Sequence, residues 1–126
     1  MINLTQHPAA PGQGVTDLTG EELKALKLAL TFDVRPTTEE VEERADFIAE
    51  LAYKHRRLTL NEAGTAFIAM IGGAPYLMAP LERALRARGI EPVYSFSTRV
   101  SAEETQPDGS IRKVNVFRHA GFISAT

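Results

Sequence analysis

Ala66-Phe67-Ile68-Ala69-Met70-Ile71-Gly72-Gly73-Ala74-Pro75 joins an unbroken apolar run to two glycines and a proline. A run that is apolar at every position predicts a central strand covered on both faces. Pro75, just after the double glycine, suits the first position of a helix. Strand, tight turn and helix together form the unit from which parallel α/β sheets are built. Two other apolar runs also end in polar segments: Ile2–Leu4 leads into Thr5-Gln6-His7, and Pro92–Tyr94 leads into Ser95-Phe96-Ser97-Thr98-Arg99. If the three runs are neighbouring parallel strands, their polar tails meet outside the carboxyl ends of one sheet. That is where open α/β sheets bind ligands.

The rest of the chain supplies the remaining elements. Thr19-Gly20-Glu21-Glu22 fits a capping box, and Leu23, Leu26 and Leu30 form one apolar stripe, so a helix is expected over about 20–29. Leu30–Asp33 is expected to be a short edge strand, stopped by Arg35-Pro36. Thr37-Thr38-Glu39-Glu40 is a second capping box, followed by Val41, Ala45, Ile48, Ala49 and Ala52 at helical spacing. Lys54, His55, Arg56 and Arg57 near its end suit the helix dipole and read as helix-end chemistry, not as a binding patch. Leu77, Leu81, Ala84 and Leu85 define the next buried stripe, closed by Gly89, and Pro80 implies either a kink or a regular start at that residue. Pro92–Phe96 is the following strand. Arg99–Thr105 and Ile111–His119 flank Gln106-Pro107-Asp108-Gly109-Ser110, which predicts a β-hairpin over about 99–119. The expected architecture is an α/β sandwich, its parallel sheet extended by antiparallel strands, with helices on both faces.

At 126 residues the chain reads as a single domain, 1–126, able to bury a core without disulfides. It has no cysteine, which excludes thiol catalysis and cysteine-rich zinc sites, and its three histidines (His7, His55, His119) are widely spaced. No metal and no cofactor are expected. No signal peptide is visible and no apolar stretch approaches the roughly 20 residues that span a bilayer, so the expected location is cytoplasmic, away from membranes. The net charge of −2 divides unevenly, −6 over residues 1–52 and +4 over residues 53–126. This argues against bulk DNA or RNA binding and leaves room for a small anion on the basic half.

Several residues carry candidate chemistry. Gly72, Gly73 and Ala74 offer backbone N–H groups at a helix start, either as a phosphate cradle or as a tight turn only; neither a Walker lysine nor a full GxGxxG is present. Thr5, Gln6 and His7 bring a hydroxyl, an amide and an imidazole to a strand end, and Pro8 fixes the direction of His7. Ser95, Ser97 and Arg99 alternate onto one face, with Thr98 on the other, and the guanidinium fork suits phosphate. The alternative for Arg99 is a pairing with Glu103 or Glu104. Val114 and Val116 face one way, and Asn115, Phe117 and His119 the other, as a surface for a base or as the exposed side of the hairpin. No GxSxG elbow exists, so a Ser–His–acid triad is not argued.

The C-terminal half, from Gly89-Ile90-Glu91-Pro92-Val93-Tyr94 through Thr98–Glu104 and Pro107–Lys113 to Val116-Phe117-Arg118-His119, resembles small stand-alone CRISPR-associated proteins. These are Rossmann-like, CARF-related proteins of type III systems, some of them ring nucleases, and the likeness covers roughly residues 64–122. It implies a Rossmann-like three-layer sandwich, a homodimer, and a cyclic oligoadenylate ligand, cyclic tetra-adenylate above others. It further implies metal-independent attack by a ribose 2′-hydroxyl, giving a 2′,3′-cyclic phosphate. On this resemblance Arg99 clamps phosphate, Ser95, Ser97 and Thr98 donate to it, and Gly72, Gly73 and Ala74 supply backbone donors. Thr5, Gln6 and His7 contact the ligand, and His7 or His119 acts as the acid. The Asn3-Leu4-Thr5-Gln6-His7-Pro8 start departs from the family pattern. A non-catalytic cyclic nucleotide sensor and a protein–protein interaction module are the competing functions.

Overall fold

The computed structural model describes residues 1–59 and 67–125. In chain order the elements are β1 (Ile2–Asn3), β2 (Thr16–Asp17), α1 (Gly20–Leu30), α2 (Thr38–Thr59), β3 (Phe67–Met70), α3 (Pro75–Ala87), β4 (Ile90–Thr105) and β5 (Ile111–Ser124). Ala66, the first residue of the expected central run, lies outside the described residues. The sheet has the order β2-β1-β3-β4-β5, parallel throughout except for the antiparallel β4–β5 pair. This is the Rossmann-like α/β sandwich with a hairpin extension.

Side-chain alternation sorts the sheet into two faces. Ile2, Leu4, Ala69, Ile71 and Ile90 share one core with α1 (Leu26, Leu30), α2 (Ala45, Ile48, Ala52) and α3 (Leu77, Leu81, Leu85). From β1 to β3 to β4 the chain advances in one direction, so right-handed crossovers deliver their helices to the same side. The opposite face, with Asn3, Met70 and Val93, is also buried. There the step from β1 to β2 runs the other way, and its crossover, residues 4–15, is loop. The layer expected to be helical on that side is therefore built of chain without a helix.

Local signals explain most boundaries. Thr37 caps α2, its Oγ1 accepting from the Glu40 N–H at 3.1 Å. Thr19 occupies the N-cap position of α1 with extended backbone but makes no side-chain cap bond, so only half of the first capping expectation is realised. Gly89 follows α3 at φ +70°, the left-handed closure its position required. Pro80 sits inside α3, which runs on through it. The edge strand expected at Leu30–Asp33 is not formed. Arg44 Nη1 donates to the carbonyls of Leu28, Ala29 and Thr31 at 2.9, 3.1 and 2.8 Å, tying the end of α1 to α2, and β2 takes the sheet edge instead.

The hairpin is longer than expected. β4 is one strand from the sheet centre to Thr105, and β5 returns far enough to pair Ser124 with Val93. Only Ile90–Val93 of β4 lie beside β3. From Tyr94 to Thr105 the strand rises past the ends of its parallel neighbours by about 35 Å at roughly 3.3 Å per residue.

Candidate functional site

An open cavity of about 430 Å³ lies outside the carboxyl ends of β1, β3 and β4. Its walls are Thr5–Pro8 after β1, Met70–Gly73 at the end of β3, Tyr94 and Ser95 on β4, and Ala10 and Gln13 from the crossover loop. The strand order turns around at β1, with β2 on one side and β3 on the other. A crevice at such a reversal is the general ligand position of open α/β sheets.

Each wall has a local cause. Asn3 is 4% exposed, yet every polar group of its side chain is used. Its Nδ2 donates to His7 O and to Asp17 Oδ1, both at 2.8 Å, and its Oδ1 accepts from Thr5 N at 2.9 Å and Thr5 Oγ1 at 2.7 Å. Asp17 in turn accepts the Ala9 N–H at 3.0 Å. This network curls Thr5–Ala9 back over the strand end. Gln6 Nε2 reaches Thr31 Oγ1 at 3.3 Å, tying the same turn to the end of α1.

Of the two glycines, the second is required by its backbone and the first has room for a side chain. A Cβ on Gly72 would stand 3.5 Å from Thr5 Cγ2, and Gly73 has φ +147°, where a side chain is strained whatever space surrounds it. α3 follows with Pro75 in its first turn, no capping side chain and no acidic residue there, so its N-terminal dipole is uncompensated.

On the β4 wall, the Tyr94 hydroxyl donates to Glu82 Oε2 at 3.1 Å. Burial first, then that hydrogen bond, push its pKa up to about 12. Ser95 Oγ lies 2.9 Å from Nδ1 of His119, and Gln13 Nε2 stands 3.3 Å from the same nitrogen. Residues 13, 95 and 119 thus meet at one corner of the rim.

The expected site residues therefore fall into two groups. Thr5, Gln6, His7, Gly72, Gly73 and Ser95 line the cavity, with His119 hydrogen-bonded to Ser95. Ala74 packs against the core beside the lining. Ser97, Thr98 and Arg99 continue up the arm beyond the lining, and Arg99 stacks its guanidinium 5.4 Å from the Phe117 ring centroid, its cross-strand neighbour. No ion pair joins Arg99 to Glu103 or Glu104; those acids stand opposite Lys113 and Arg112. Asn3, Asp17, Gln13 and Tyr94 were not anticipated. Asn3 had a signal, an amide between two aliphatics of a buried strand. Gln13 had none, because only the path of the loop brings it to His119.

No aspartate, glutamate, lysine or arginine lines the cavity among the described residues. Nor do three or more histidine or carboxylate side chains among them gather as a metal site. A second cavity of about 370 Å³ lies behind the Thr5–Pro8 turn, bordered by Asp17, Thr19 and Lys27. No helix among the described residues is long and apolar enough to cross a membrane.

A parallel sheet whose strand order reverses beneath a polar-rimmed cavity makes this a Rossmann-like α/β protein with an open crevice at the switch point. More narrowly, the chain belongs to the Uncharacterized protein MJ1673 family, whose model matches residues 1–123. No curated protein and no solved structure matches it.

Proposed function

We propose that this protein binds a cyclic oligoadenylate, cyclic tetra-adenylate above others, and opens the ring by attack of a ribose 2′-hydroxyl on the adjacent phosphorus. The observation that carries this reading is the convergence of three strand ends on one cavity at the reversal of strand order. About 430 Å³ is within the range of small-ligand sites and accommodates one nucleotide unit better than a whole ring. The ring is then shared by two copies of the chain in a homodimer, each taking one face.

Phosphate charge meets the uncompensated N-terminus of α3 and the amides of Gly72, Gly73 and Ala74. Thr5, Gln6 and His7 supply polar contacts from the first strand. A ligand that overhangs the cavity meets Ser97, Thr98 and Arg99 along the arm, where the guanidinium takes a phosphate. Catalysis on this reading is positioning plus stabilisation of developing charge. The protein acts in the cytoplasm, ending a type III CRISPR signal.

Incubation with cyclic tri-, tetra- and hexa-adenylate in EDTA tests the reading. Linear products ending in a 2′,3′-cyclic phosphate are expected. Tight binding without turnover would make the protein a sensor. Neither binding nor turnover would leave an interaction module, to which the exposed Phe96, Ile111, Phe117 and Ile123 would then belong.

A further inference from the structure

The pairing of β4 with β5 slips once, at the place where the arm leaves the sheet. Phe96 stands opposite Gly121 and Ser97 opposite His119, so Ala120 is an extra residue without a partner. Bulges of this kind bend a strand and re-aim the neighbouring side chain. Gly121 carries the bend at φ +141°, with nothing within 4 Å of a Cβ built on it. A glycine is needed there for its backbone and not for space. The imidazole of His119 consequently reaches past its register partner Ser97 to Ser95, two residues nearer the cavity, and rests against the Phe122 ring at 4.7 Å.

One tautomer of His119 fits its neighbours. The side-chain nitrogen of Gln13 only donates, and it faces Nδ1 at 3.3 Å. With Nδ1 as acceptor and the ring proton on Nε2, the Ser95 hydroxyl, 2.9 Å away, is its donor. A serine hydroxyl on the cavity wall is thus hydrogen-bonded to an imidazole nitrogen that can take up its proton. His7 lines the same cavity, its backbone carbonyl held by Asn3 Nδ2 and Thr5 Oγ1. Charged groups near the two rings are few. Asp17 and Lys27 border the second cavity behind His7, and Arg99 is the next cation along the face of Ser95 and Ser97.

We infer that Ser95 and His119 form the proton-accepting half of a two-histidine site, with His7 as the proton-donating half. This rests on the ring-opening reading above and assigns its acid and base. The ribose 2′-hydroxyl gives its proton to Ser95 Oγ as Ser95 passes its own to His119 Nδ1. The 2′-oxygen bonds to phosphorus, and the bond from phosphorus to the 5′-oxygen breaks. Its electron pair stays on the 5′-oxygen, which takes a proton from the His7 imidazolium. The products are a 2′,3′-cyclic phosphate and a 5′-hydroxyl, and water restores the proton to His7 and removes it from His119.

The test compares wild type with His119→Ala, Ser95→Ala, His7→Ala and Gly121→Ala, using cyclic tetra-adenylate, on rate against pH. Wild type is expected to show a bell-shaped profile. His119→Ala loses the low-pH limb and about 10²–10⁴-fold in rate, and His7→Ala loses the high-pH limb with a drop of the same order. Gly121→Ala, which leaves both groups in place but strains the bulge, lowers the rate while both limbs of the profile remain. If wild type opens the ring but His119→Ala keeps its rate and its low-pH limb, this assignment is wrong and the functional reading stands. If wild type opens no ring, both fall together. His7 and Ser95 are exposed, His119 is half-buried and Gly121 sits at a bulge with open space, and unchanged far-ultraviolet circular dichroism checks folding of each variant.

Discussion

The body of the molecule and the arm that rises from it are held by different forces. Every buried aliphatic of the main core lies between Ile2 and Ile90, and from Tyr94 to Ser124 no residue is buried at all. The body is stabilised by apolar area removed from water, at about 25 cal/mol per Å². The arm has only its ladder, its cross-strand pairs and its turn: Val100 with Val116, Ala102 with Val114, Glu103 with Lys113 and Glu104 with Arg112. Such pairs contribute about 0.2–1 kcal/mol each, and a two-stranded hairpin alone is marginal in water. The cavity lies where the two regimes join. One wall belongs to the rigid body and the other to the root of the arm.

The sharpest way to break this contrast is to truncate a side chain in each region. Leu81 is fully buried, and Leu81→Ala should cost about 2–5 kcal/mol by urea denaturation. Val116→Ala, on the arm, should cost less than about 1 kcal/mol. Equal losses would mean that the arm is covered by a partner in solution and shares a core with it.

Asn3 sharpens the comparison inside the body. Asn3→Ala removes one partner each from Asp17 and the His7 carbonyl and the acceptor of the Thr5 N–H, leaving Asp17 only Ala9 N and the His7 carbonyl only Thr5 Oγ1. A loss of about 1–3 kcal/mol is expected, together with release of the turn that forms the first wall. Amide exchange at Thr5 and Ala9 reads it directly; unchanged protection there would remove Asn3 from its role as the organiser of that wall.

How far these regions could be read in advance also differs. The parallel body was legible because buried runs, capping residues and helix-stop glycines are local: Thr37, Gly89 and the double glycine each announced their element. The rim's first two walls followed from them. The rest depended on non-local facts. β2 has only two residues, too few for a pattern, and it displaced the edge strand expected at Leu30–Asp33. Arg44 closes α1 from sixteen residues away. The meeting of Ser95 with His119 depends on a bulge, and an extra residue in a strand leaves no composition signal beyond one glycine. Arg99 was read by alternation as a rim residue. Alternation places it correctly on the face of Ser95, but four residues of extended strand carry it about 13 Å further along the arm.

Tyr94 stands at the junction and offers a test in alkali. Its raised pKa, about 12 against an ordinary 10.0, means that the folded chain keeps a proton the unfolded chain has lost. Its contribution is therefore complete below pH 10 and declines as pH rises from 10 towards 12. Tyr94→Phe should remove the part of the alkaline destabilisation due to this group, while Tyr76→Phe should not. Equal behaviour of the two variants would mean that neither the burial of Tyr94 nor its bond to Glu82 holds in solution.

The smallest effect is expected at the far tip of the arm. Asp108 Oδ1 accepts from Ser110 N at 2.9 Å and Ser110 Oγ at 2.6 Å, and these bonds hold its carboxyl below the ordinary 3.8. A depressed carboxylate contributes above the unfolded value and loses that contribution as pH falls through the folded one, so the turn should loosen only below about pH 3.8. The group is fully exposed, so the change is local: the amides of Gly109 and Ser110 should shift and exchange faster in that window while those of Ala69 and Ile71 stay protected. Asp108→Asn should abolish the pH dependence at the tip. If protection in the body fell together with the tip, the arm and the body would be one cooperative unit, and the division between burial and pairing drawn from their exposure would not describe how this chain unfolds.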